Sequence, residues 1–136
     1  MADVTFSPGV VEAMPFSKEI LPLLARTATP ADVSFGVAGA KGVTVTIQAT
    51  TSAATPSVVA TLRRVFVDDT GAKVVVDTLA SAAITGAGVT NLSIGPDFAT
   101  TANVAAQLAL SPELELNLAH ADSDSITYRV VVSLSK

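Results

Sequence analysis

Leu114-Glu115-Leu116-Asn117-Leu118, followed by His120-Ala121-Asp122-Ser123-Asp124-Ser125 and then Ile126-Thr127-Tyr128-Arg129-Val130-Val131-Val132-Ser133-Leu134, decides the class of this chain. Apolar residues fall at every second position on both arms, the period of a strand with one buried and one wet face. The connector is rich in Asp and Ser, which bend a chain by bonding their own backbone. This spacing predicts an antiparallel hairpin. Leu114, Leu116, Leu118, Ile126, Tyr128, Val130, Val132 and Leu134 are expected on its inward face, with the connector as an exposed tip.

Working outward, the same alternation recurs. Val43-Thr44-Val45-Thr46-Ile47-Gln48-Ala49 alternates strictly, with Thr and Gln on the wet face. Val33 to Val37 alternates before the turn Gly39-Ala40-Lys41-Gly42. Val59 to Val67 and Lys73 to Leu79 flank Asp68-Asp69-Thr70-Gly71, a strong hairpin signal because Gly supplies the positive φ such turns need. Ser81 to Thr90 reads as a loop or weak strand leading into Leu92-Ser93-Ile94. Thr101 to Leu110 carries both helical and strand spacing, and its strand neighbours favour strand. Short strands separated by turn signals predict an all-β protein, an antiparallel β-sandwich of immunoglobulin-like or jelly-roll-like form.

The first 31 residues differ. Pro8, Pro15, Pro22 and Pro30 interrupt apolar pairs such as Val10-Val11 and Ile20-Leu21. Proline removes a ladder donor and pushes its predecessor towards extended geometry. The expected organisation is an N-terminal arm over 1–31 and a β-sandwich domain over 32–136. The arm lies either on its own sandwich as an edge strand or on a neighbouring chain. In the second case Val4, Phe6, Val10, Val11, Met14, Phe16, Ile20 and Leu21 are the partner-binding residues.

Composition excludes several classes. Of the 136 residues 49% are hydrophobic and 15% charged, which is not the composition of a disordered chain. A net charge of −4 with eight Lys and Arg is unsuited to nucleic acid. No apolar run reaches the length of a membrane-spanning helix. Met1-Ala2-Asp3 lacks the basic start of a signal peptide, so the expected site of synthesis is a cytoplasm. With no cysteine and one histidine there is neither a disulfide framework nor a usual zinc set, and no cofactor is expected.

His120 beside Asp122 and Asp124 is the one group of residues that invites acid–base chemistry. No Gly-x-Ser-x-Gly elbow accompanies it, and a polar turn explains it as well, so the expectation is a protein without enzymatic activity. Asp68-Asp69 and Asp122-Ser123-Asp124 lack the ligand spacing of a calcium loop. Asn91-Leu92-Ser93 matches the glycosylation triplet, a short and common pattern. Arg63, Arg64 and Arg129 read as wet-face or intersubunit ion-pair residues.

The opening Met1-Ala2-Asp3-Val4-Thr5-Phe6-Ser7-Pro8-Gly9-Val10-Val11, with the Val/Thr/Ala-rich body, resembles small virion structural proteins of tailed bacteriophages, notably head decoration (cement) proteins. The resemblance implies a β-rich protein on an assembled capsid, a homo-oligomer as trimer or dimer, with an extended arm on the major capsid protein. It also implies a virion location and no nucleic-acid or membrane partner. A head–tail connector or tail component fits the same resemblance. An immunoglobulin-like surface adhesion module is the alternative from another class, but five Phe, one Tyr and no Trp make a poor aromatic platform.

Overall fold

The computed structural model describes residues 17–37 and 39–135. Nine strands form two facing sheets: β1 Ser17–Arg26, β2 Val33–Gly36, β3 Gly42–Ser52, β4 Val58–Val67, β5 Lys73–Ala80, β6 Gly88–Ile94, β7 Ala105–Ala106, β8 Glu113–His120 and β9 Ile126–Ser135. One sheet has the order β1-β9-β3-β6-β7 and the other β2-β8-β4-β5. All pairings are antiparallel except that of the two-residue β7 with β6. The protein is an all-β sandwich. Leaving β7 aside, its eight longer strands follow jelly-roll connectivity, in which most links cross from one sheet to the other.

Alternation fills the space between the sheets. Val43, Val45, Ile47 and Ala49 of β3 face Leu114, Leu116 and Leu118 of β8 and Ala60 and Leu62 of β4 across the interior. Tyr128 is the largest fully buried side chain, so the core is built mainly from Val, Leu, Ile and Ala. On the outer face of the five-stranded sheet, Thr44 bonds Ser93 at 2.8 Å and Thr46 donates to Asn91 Oδ1 at 2.7 Å. Cross-strand hydroxyl and amide pairs occupy positions that charges take in many sheets. That accounts for part of the low charge fraction.

The inward face expected of the C-terminal stretch is as read. Leu114, Leu116, Leu118, Ile126, Tyr128, Val130 and Val132 are all buried, and Leu134 is partly buried against the core. The expected hairpin is not. β8 lies between β2 and β4 in one sheet, while β9 lies between β1 and β3 in the other. The connector is therefore an arch that carries the chain across the core. Alternation fixes which face is buried but says nothing about which strand lies alongside.

Thr101–Leu110 is the second correction. It is neither a regular strand nor a helix. Thr101 and Ala105 exchange main-chain bonds at 2.9 Å around Asn103, whose φ of 63° few residues other than Asn and Gly adopt readily. Only Ala105 and Ala106 pair, in parallel, with Ser93 and Ile94. Gln107 then ties the segment down by donating to the Pro96 carbonyl at 3.0 Å.

Ser17–Arg26, within the segment read as the arm, is the edge strand of the five-stranded sheet and pairs with β9. Its register shifts between Glu19 and Leu21 and again between Leu21 and Leu24, around Pro22. Proline is tolerated there because an edge strand need not donate on its open side. Val4, Phe6, Val10, Val11, Met14 and Phe16 lie outside the described residues.

Candidate interaction surface

At the end of the sandwich where β1 stops, β8 enters its arch and β9 begins, one cluster joins several elements. Arg26 donates to the carbonyls of Tyr128 (2.7 Å), Leu24 (3.1 Å) and Pro22 (2.8 Å), the last two on the bulged part of β1. Its guanidinium also lies 4.5 Å from the centroid of the Tyr128 ring. His120 Nε2 is 3.0 Å from the Tyr128 hydroxyl, and its main-chain N–H donates to Thr29 Oγ1 at 2.9 Å. His120 is thus half-buried at the foot of the arch, not an exposed tip. Burial holds its pKa below 6.5, helped by the Arg26 charge and opposed by Asp122. Burial pushes the Tyr128 hydroxyl up to about 12 against the influence of Arg26. The imidazole's partner, the Tyr128 hydroxyl, is kept protonated by its burial. The cluster fastens β1 and the β1–β2 link to the core.

The outer face of the four-stranded sheet holds a second cluster. Arg63 reaches Asp77 at 2.7 Å, Glu115 at 3.0 Å and Asp32 at 3.2 Å. Asn117 donates to the other oxygen of Asp32 at 2.7 Å. These contacts join all four strands or their immediate flanks through one guanidinium, whose planar fork suits several carboxylates. Lys73 bonds both oxygens of the buried Glu113 carboxylate, at 3.1 and 3.2 Å. Arg129 pairs with Glu19 at 3.6 Å across β9 and β1, and Arg64 lies over the Phe66 ring.

The acidic turns are occupied by their own backbone. Asp68 Oδ1 accepts from the Thr70 and Ala72 N–H groups and from the Thr70 hydroxyl, and these bonds, that hydroxyl first, hold the carboxyl below its ordinary range. Asp124 accepts from Thr55, and Asp122 accepts from the Asp124 N–H. Among the described residues no three His, Asp or Glu side chains converge as a metal site. No helix among them is long and apolar enough to cross a membrane. The buried Ser81 and Ser111 hydroxyls bond main-chain groups of their own sheet.

The surface of the described residues includes two concavities of note. One of about 240 Å³ sits beside Gly42, Gly95 and Phe98, with the Lys41–Asp97 ion pair (2.9 Å) at its wall. A Cβ on Gly42 would come within 2.9 Å of the Phe98 ring, so these glycines admit the ring between strands. The other, about 510 Å³ and broadly open, runs beside Val89, Asn91 and Val104. Neither gathers groups that would activate a substrate.

What the surface does present is exposed apolar side chains, some on edge strands and others at Val89, Val104 and Leu108. Leu23 and Leu24 are exposed on β1. The β4–β5 hairpin exposes Phe66, Val67, Val74, Val75 and Val76, on both faces of the ribbon. Of the partner-binding residues named from sequence, Ile20 and Leu21 are partly buried against this chain's own core. The hairpin was missed as a surface because three consecutive valines read equally well as a buried strand. No family model matches the chain, and no curated protein matches it.

Proposed function

We propose that the protein is a structural component of a virus particle, a capsid decoration protein that stabilises an assembled shell. In this reading the N-terminal segment carrying Val4, Phe6, Val10, Val11, Met14 and Phe16 contacts the major capsid protein, and the sandwich edges contact further subunits. The observation that carries it is the presence of exposed apolar side chains on two edge strands, Leu23 and Leu24 on β1 and the run Val74, Val75 and Val76 on β5. Such edges are ordinarily blunted or covered, because an unpaired strand templates pairing with another chain. The polar side chains support the same reading, since Arg26, Arg63, Lys73 and His120 are engaged in joining strands. Jelly-roll connectivity is used in capsid domains, but also in lectins and cupins, so it adds support only by analogy.

The test is co-sedimentation of the purified chain with shells assembled from the accompanying major capsid protein. The full chain is expected in the pellet, and a chain lacking residues 1–16 in the supernatant with its β-sheet circular dichroism unchanged. The deletion stops at residue 16 because removing Ser17–Arg26 would strip the edge strand from β9. A full chain that stays in the supernatant, or a truncated chain that binds equally well, would refute the reading.

A further inference from the structure

The exposed part of β5 reads Lys73-Val74-Val75-Val76-Asp77, at the open end of the four-stranded sheet. The hairpin closes with Asp68 N–H donating to the Ala72 carbonyl at 2.9 Å, and Gly71 takes the left-handed position at φ 84°. From that closing pair the antiparallel alternation follows down the ribbon. By that alternation Val74 and Val76 take the hydrogen-bonding positions opposite Phe66 and Arg64; the Arg64 N–H also donates to Thr78 Oγ1 at 3.3 Å, just where the register shifts past Asp77. The main-chain groups of Lys73, Val75 and Asp77 therefore point away from β4, towards the open side.

These five residues are complementary to themselves. Laid antiparallel against a second copy about a two-fold axis through Val75, Lys73 faces Asp77 of the second copy and Asp77 faces its Lys73. Val74 faces Val76, and Val75 faces itself. The three positions whose main-chain groups have no strand beside them among the described residues, 73, 75 and 77, fall opposite 77, 75 and 73. They are the pairs that must exchange hydrogen bonds in such a junction. A shift of the axis by one residue, to Val74 or Val76, keeps open main-chain groups opposite one another but destroys the charge match. It sets a charge against a valine, Lys73 against Val75 or Asp77 against Val75, and leaves the opposite charge unmatched. The charges are also held in place beforehand: Lys73 by Glu113 at 3.1 Å and Asp77 by Arg63 at 2.7 Å, while both remain more than half exposed.

We propose that β5 is a self-pairing edge. Two copies of this chain join through Lys73–Asp77 into one continuous sheet of order β2-β8-β4-β5-β5-β4-β8-β2. The occupant is a second copy because a different partner would need neither the reversed charge order nor the symmetric spacing of a self-complementary interface. Pairing also brings Phe66, Val74 and Val76 of both copies onto one face, where they cover one another. The inference rests on the reading of the sheet edges as assembly surfaces, and it names the partner at one of them.

Position 75 gives a direct test, because it lies opposite itself and its side chain is exposed in the single chain. Sedimentation of the full chain is expected to give a concentration-dependent species of twice 13.7 kDa. Val75→Lys and Val75→Glu each place like charges at the axis and should weaken association roughly tenfold, with circular dichroism unchanged. Mixing the two variants should restore the dimer as a heterodimer. A wild-type chain that stays at the single-chain mass at every concentration overturns the proposal. So does a Val75→Lys variant that dimerises as tightly as wild type, or a mixture that fails to recover. Capsid co-sedimentation separates this from the functional reading. A single-chain mass with intact capsid binding overturns the pairing alone, and a Val75-dependent dimer without capsid binding supports the pairing while overturning the decoration role.

Discussion

Val58–Ala80 and Glu113–Ser135 look alike as sequence: an alternating apolar run, a short polar connector rich in Asp, and a second run. The first is a true hairpin, with β4 and β5 side by side in one sheet. The second is an arch, with β8 and β9 on opposite sides of the core. The connectors differ in one residue type. Asp68 to Gly71 closes because Gly71 takes a positive φ and Asp68 caps the turn with its own carboxylate. Ala121 to Ser125 has no glycine, and its bonds reach outward instead, from Ala121 N–H to the Ser57 carbonyl and from Ala53 N–H to the Ser125 carbonyl. The strands differ in the same sense. Both faces of β5 reach water over residues 73–77, whereas β8 buries Leu114, Leu116 and Leu118 and β9 buries Ile126, Tyr128, Val130 and Val132 on one face.

Unfolding measurements can break that comparison, and the largest effect belongs to the arch. Leu116→Ala opens space between the sheets and should cost about 3 kcal/mol in urea titration. Val75→Ala, on the open edge, should change the stability of the single chain by less than about 0.5 kcal/mol. Comparable losses at both positions would mean that β5 is buried in solution. The turn comes next. Gly71→Ala forces a side chain into the left-handed region and should cost about 1 kcal/mol, while Ala121→Gly in the arch should cost clearly less. An equal cost would remove the distinction between the two connectors.

The smallest effect is the pH dependence at the foot of the arch. The folded pKa of His120 lies below 6.5, so the neutral imidazole belongs to the fold and the unfolded chain takes up the proton first. Stability is full above 6.5 and falls as pH drops through 6.5 towards the folded value. His120→Gln should flatten that portion of the profile while leaving the rest unchanged. A wild-type profile already flat there would show the imidazole to be freely solvated.

These contrasts also mark how far the sequence could be read. Period-two alternation identified the inward residues of β3, β8 and β9, because burial of one face is a local property of the strand. It could not identify β9 as the neighbour of β1 and β3, because that choice depends on how the sheets stack. Thr101–Leu110 was misread because a bend around Asn103 and pairing confined to Ala105 and Ala106 leave no periodic trace. His120 looked like a turn residue because Tyr128 and Thr29, which hold it, are far from it or out of phase in the chain. The Lys73–Asp77 edge was legible as letters but not as a surface, since valine runs do not reveal whether anything covers them.

The position of β9 bears on how the chain is made. It is the last of the described strands in chain order, yet it lies between β1 and β3, the first two of its sheet to be synthesised. Those two strands leave the ribosome with a strand-wide vacancy between them and wait for most of the chain before it is filled. Until then β1 has no sheet to join, and Ile20 and Leu21 have no completed core to rest on. Folding of this sheet is therefore post-translational in character and rich in distant contacts, which makes it slow. A chain ending before Ile126 would have all four strands of the second sheet but only β3 and β6 with the two-residue β7, and β1 unattached, to face them.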